Sequence, residues 1–65
     1  MKIRYFTDTD TLYIEFVDGP VAETRDIGQD TVADFGPDGA ICALTLEHAS
    51  KRAGVANISI EHVSA

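Results

Sequence analysis

The sequence predicts an α+β fold: a small antiparallel β-meander of five to six strands with one short helix packed on the sheet. Turn signals at Asp18-Gly19-Pro20, Ile27-Gly28, Gly36-Pro37 and Asp38-Gly39 cut the chain into short apolar runs, as a hairpin protein requires. Within those runs apolar residues alternate with polar ones, the period of a strand. After Leu46 the period changes, and good helix formers lead to Gly54, a residue suited to the position that follows a helix.

Lys2 to Phe6 reads as a first strand, with Ile3 and Tyr5 on one face and Arg4 on the other. Thr7-Asp8-Thr9-Asp10 is a turn, because Asp side chains bond their own downstream amides and tolerate tight backbone geometry. Thr11 to Val17 is the clearest strand, with Leu12, Ile14 and Phe16 pointing one way and Tyr13, Glu15 and Val17 the other. At Asp18-Gly19-Pro20 the expected device is a positive φ at Gly19 followed by a proline that cannot donate to a ladder. Val21 to Ile27 is a weaker, charged strand suited to an edge. Thr31 to Phe35 and Ala40 to Leu46 are the fourth and fifth strands, separated by Gly36-Pro37-Asp38-Gly39. Glu47 to Ala53 is the expected helix, pinned by Ala49 and Ala53 because two turns cannot hold themselves together. Asn57 to Val63 alternates again through Ile58 and Ile60 and is the sixth strand, pairing within the subunit or with a neighbour. The expected core is Ile3, Tyr5, Leu12, Ile14, Phe16, Val32, Phe35, Leu44, Leu46 and Ala49.

At 65 residues the chain is one domain with a marginal core, since a chain of about 60 residues buries only around 60% of its unfolded surface. Such domains add a disulfide, a metal or a second subunit. Cys42 is the single cysteine and closes no intrachain disulfide. His48 and His62 have no partner at metal-ligand spacing. Oligomerisation is the remaining device, so a homodimer or an obligate hetero-partner is expected. The chain opens directly on a strand pattern with no apolar signal region, and no run approaches the roughly 18 residues of a membrane span. With a free cysteine, a cytoplasmic protein without a membrane role is the expectation.

The net charge is −6, and positions 5 to 50 hold ten of the eleven acids against one base, Arg25. Lys2, Arg4, Lys51 and Arg52 lie near the ends. This layout disfavours nucleic acid, whose binders need basic stripes, and favours a basic protein partner.

Lys2-Ile3-Arg4-Tyr5, Asp10-Thr11-Leu12-Tyr13-Ile14 and Asp18-Gly19-Pro20-Val21-Ala22-Glu23-Thr24 resemble the opening of a family of small bacterial proteins catalogued as domain of unknown function 2283. The similarity continues through Val32, Asp34, Asp38-Gly39, Leu44, Leu46 and Ala49-Ser50-Lys51-Arg52. It covers roughly residues 1 to 53, leaving 54 to 65 as a tail. The resemblance implies a compact β-rich fold with no established activity, and an antitoxin-like partner role. Ala43, Thr45 and His48 depart from the Gly, Glu and Asp common at those positions, and His48 is a poorer helix cap than Asp.

No catalytic, cofactor-binding or metal site is assigned from the residues, and no cofactor is expected. Asp8 and Asp10 read as turn residues, because a calcium loop needs more oxygen ligands at fixed spacing. Glu15 reads as solvated or paired with Arg4 or Arg25. Cys42 reads as a small core residue rather than a nucleophile with His48 as base. Tyr5 and Tyr13 fill the two faces of the sheet. The leading expectation is a protein-interaction module that self-associates or binds a basic partner through a half-apolar second face. Its interface candidates are Tyr13, Val17, Ile41, Ile58 and Ile60. The alternative is a small enzyme or metal-binding protein whose site forms at a dimer interface from Asp8, Asp10, Glu15 and His48.

Overall fold

A computed structural model describes residues 1–64. Its strands are β1 (Lys2–Phe6), β2 (Thr11–Glu15), β3 (Glu23–Gly28), β4 (Thr31–Phe35) and β5 (Ile41–Leu46). They form one five-stranded sheet in the order β1-β2-β5-β4-β3, and every neighbouring pair is antiparallel. A hairpin (β1–β2) thus sits beside a three-stranded meander (β3–β4–β5), joined through the β2–β5 ladder. The link 16–22 takes the chain from β2 to the far edge. It stays on the sheet because the Phe16 and Val17 amides both donate to the Cys42 carbonyl, at 2.8 and 3.2 Å, and the Ala22 amide donates to Phe35 at 2.8 Å.

Side chains directly opposite in a ladder share a face, so the register defines two sides. On one side run the rungs Ile3–Ile14–Leu44–Ala33–Arg25 and Tyr5–Leu12–Leu46–Thr31–Gly28. On the other run Lys2–Glu15–Ala43–Asp34–Thr24 and Arg4–Tyr13–Thr45–Val32–Asp26. The first side is the apolar one wherever β1, β2 and β5 supply it. β3 is exposed along its whole length, as a charged edge strand should be. There Arg25 lies 4.1 Å over the Phe35 ring and 3.1 Å from Glu23, which stands on the same face.

The sheet is a single layer. The molecule measures 35 × 32 × 18 Å. Leu12, Ala33, Cys42, Ala43 and Ala49 are buried, and among the described residues no large side chain is completely so. Ile3, Tyr5, Ile14, Val32, Phe35, Leu44 and Leu46 are only half-buried.

Several expectations are corrected. The helix over 47–53 does not form; a single 3₁₀ turn, Ala49–Lys51, stands in its place. His48 leaves β5 in the left-handed conformation with φ 54° and offers no side-chain cap. The turn after it is held by outside bonds, not by its own length. With that helix gone, the protein is an antiparallel sheet rather than an α+β fold. Asn57–Val63 adopts no strand; residues 57–64 carry no regular secondary structure. Phe16 is 38% exposed, outside the core, because β2 ends at Glu15 and the chain departs for the link. Gly19 does not have a positive φ; Gly39, at 84°, does. The left-handed positions Asp10 and Asp30, at 53° and 52°, end the β1–β2 and β3–β4 turns. Asp visits that conformation more readily than most residues other than Gly.

Candidate interaction surface

The two ends of the sheet differ. At one end the β1–β2 turn, the β3–β4 turn and the segment after β5 converge. The Glu47 amide donates to the Asp30 carbonyl at 2.8 Å, and the Ala49 amide to the Asp10 carbonyl at 2.9 Å. The Asp10 carboxylate accepts three further bonds, from the Tyr5 hydroxyl (2.5 Å), the Ser50 amide (3.0 Å) and the Ser50 hydroxyl (2.7 Å). The hydroxyls of Tyr5 and then Ser50, which bond its charged form, hold the Asp10 carboxyl below the usual carboxylate range. The same bond to Asp10 raises the Tyr5 phenol above its ordinary value. Asp30 is a second anchor. Its carboxylate lies 3.1 Å from His48 Nδ1, its carbonyl accepts from Arg52 Nη1 at 2.9 Å, and Arg52 Nη2 donates to Thr31 Oγ1 at 2.9 Å. These groups border an open cleft of about 640 Å³ with Lys51 on its rim.

At the opposite end Val17, Pro20, Pro37, Ile41 and Cys42 line a mostly apolar cleft of about 260 Å³. Of the interface candidates, Val17 and Ile41 are therefore brought together. Tyr13 stands apart on the Arg4–Tyr13–Thr45–Val32 rung, half-buried; loss of solvent raises its phenol pKa. Ile58 and Ile60 project from the tail, 53% and 72% exposed.

The residues weighed for chemistry do not assemble. Cys42 is buried, and its thiol donates to the Asp34 carbonyl at 3.3 Å. It sits near the start of β5, and His48 lies just past the end, about 20 Å away at the rise of a strand. Glu15 stands opposite Lys2 and Ala43, so neither Arg4 nor Arg25 is its cross-strand neighbour. Asp10 and Asp30 are occupied by structural bonds. Among the described residues no group of three or more His, Cys, Asp or Glu could hold a metal ion. No helix there is long and apolar enough to cross a membrane.

The Asp10–Tyr5–Ser50 and Asp30–His48–Arg52 anchors were missed in the sequence. The signal available was an Asp just before each of two strand starts, where only a left-handed residue lets the turn close.

What the geometry defines is a single-layer antiparallel sheet with one apolar face left half-open. The chain belongs to the family described as protein of unknown function (DUF2283), whose model matches residues 2–50. No curated protein and no solved structure matches the chain.

Proposed function

We propose that the protein is an interaction module whose apolar face packs against a second copy of itself. The carrying observation is that Ile3, Tyr5, Ile14, Leu44 and Leu46 share one face and all remain half-buried. Covering such side chains contributes about 25 cal/mol per Å² of apolar surface removed from water. Five strands of five to six residues, about 4.8 Å apart and rising about 3.3 Å per residue, make a face of about 20 by 20 Å, so flanking links and tail must add to it to reach the roughly 800 Å² per partner of a standard interface. Two identical apolar faces meeting about a twofold axis are self-complementary and close the assembly, giving a two-layer sandwich with sheets about 10 Å apart.

Light scattering across a concentration series tests this. The expected mass is twice the 7.0 kDa of one chain, falling to that of one chain for Ile3→Arg, which places a charge on the face, with circular dichroism checking that the variant keeps its sheet. A parent protein that stays monomeric at every concentration overturns self-association.

The opposite face supports a second reading, a basic protein partner. Glu15, Asp34 and Asp26 share that face with Lys2 and Arg4, three acids against two bases in a chain of net charge −6. Binding to a basic polypeptide that weakens steeply with salt is the expected outcome. The enzyme or metal-site alternative has less support, because Asp10 and His48 already serve Ser50 and Asp30.

A further inference from the structure

Resting on the self-association reading, we propose that the tail of each copy adds a strand to the β1 edge of the other. The tail runs antiparallel to β1, with Glu61 opposite Lys2, Ile60 opposite Ile3 and Ile58 opposite Tyr5.

Residues 57–63 read Asn-Ile-Ser-Ile-Glu-His-Val, an alternating segment without Gly or Pro that suits a strand. Yet Ile58, Ile60 and Val63 are 53%, 72% and 83% exposed. Among the described residues, no backbone amide after that of Asn57 donates to another backbone group. The sheet leaves a matching vacancy. Among the described residues β1 has β2 on one side and no strand on the other, and an unpaired edge is a template for another strand. β3 is the other edge, but its exposed charges Glu23, Arg25 and Asp26 and the irregularity between Asp26 and Gly28 guard it against pairing.

The register follows from matching faces. Ile3 and Tyr5 face the apolar side, Lys2 and Arg4 the other. In the tail Ile58 and Ile60 share a parity, and Glu61, the tail's acid, falls on the other parity. Opposing Glu61 to Lys2 aligns Ile60 with Ile3 and Ile58 with Tyr5, and sets the polar Ser59 opposite Arg4. A one-residue slip would put both isoleucines on the charged side, with Lys2 and Arg4. The reach requires the turn at Gly54–Ala56, closed by the Asn57 amide on the Gly54 carbonyl at 3.0 Å, to open: extended, those three residues span about 10 Å, the separation of two face-to-face layers.

A charge swap tests pairing between copies. Lys2→Glu and Glu61→Lys each place like charges opposite at both junctions of the homodimer, and each is expected to weaken dimerisation roughly tenfold. Mixing the two single variants restores opposite charges at both junctions, so a heterodimer near parental affinity is expected by sedimentation. Lys2 also faces Glu15 within its own copy; that cost is equal alone and in the mixture, so it cannot mimic rescue. Rescue in the double variant but not in the mixture would place the tail on its own β1 and overturn the exchange. Dimers indifferent to all three changes would overturn the tail register while leaving the face-to-face reading intact. A parent protein that never dimerises would sink both. Should Lys2→Glu fail to fold, amide exchange in the parent reads the same point. Ile58 to Glu61 should be protected in the dimer, and full exchange there overturns the proposal.

Discussion

Asp10 and Ser50, separated by 40 positions, are joined by two hydrogen bonds: the Ser50 amide and hydroxyl both donate to the Asp10 carboxylate, at 3.0 and 2.7 Å. The bonds tie the turn of the first hairpin to the segment that follows the last strand. That segment is too short to hold a helix by itself, so its position depends on the clasp.

Asp10→Ala should therefore lower the melting temperature and speed amide exchange from Ala49 to Ala53. Asp10→Asn should do less harm, because Asn also tolerates the left-handed conformation at φ 53° and keeps one side-chain acceptor. Equal losses in the two variants would show that the carboxylate, which both lack, is what Asp10 supplies, and not its tolerance of the left-handed backbone.

The clasp also sets a pH dependence. The carboxyl of Asp10 is lowered in the fold, so its stabilisation is present above the ordinary value of 3.8 and is lost as pH falls through the lowered folded value. The phenol of Tyr5 is raised, so its share is present below 10.0 and is lost as pH rises through the raised folded value. Melting temperatures against pH should fall at both extremes. Tyr5→Phe should flatten the alkaline limb and weaken the acid one, since the Tyr5 hydroxyl is the largest cause of the Asp10 shift.

Leu12→Ala removes the most buried large side chain of the sheet, at 7% exposure, and should cost about 2–5 kcal/mol, much of the stability of so small a domain. Phe16→Ala, outside the core, should cost about 1 kcal/mol or less. Urea titrations of the two variants check the difference.

Gly39→Ala should destabilise by about 1–2 kcal/mol, because Gly39 sits at φ 84° although nothing crowds the added methyl. Gly19→Ala, with open space and no positive φ, should stabilise by about 0.4–1 kcal/mol through the unfolded chain. Thermal melts of the pair should move in opposite directions.

Alternation made β1 and β4 legible with the bounds they have, and it marked β3 as an edge from its charges. The ends of β2 and β5 were less legible, since Phe16 and Val17 continue the pattern after the chain has left the ladder. Ala33 and Ala43 are absent from the expected core. They are buried only because β4 and β5 lie in the sheet interior, which pairing order decides and local pattern does not. The helix expected over 47–53 was read from propensity. What prevailed was tertiary anchoring by Asp10 and Asp30, whose partners lie about 20 to 40 positions away. Of the surface candidates, Val17 and Ile41 meet because two turns rich in Gly and Pro fold toward each other, a placement no single segment encodes.

The two rims of the sheet are unlike, and this asymmetry limits how far the protein can grow. A ribbon open along both flanks would recruit copy after copy and lengthen into a fibril. With the β3 flank fenced by ionised side chains, addition stops after one step, and a solution of this protein should hold discrete particles at concentrations where a symmetric ribbon would gel.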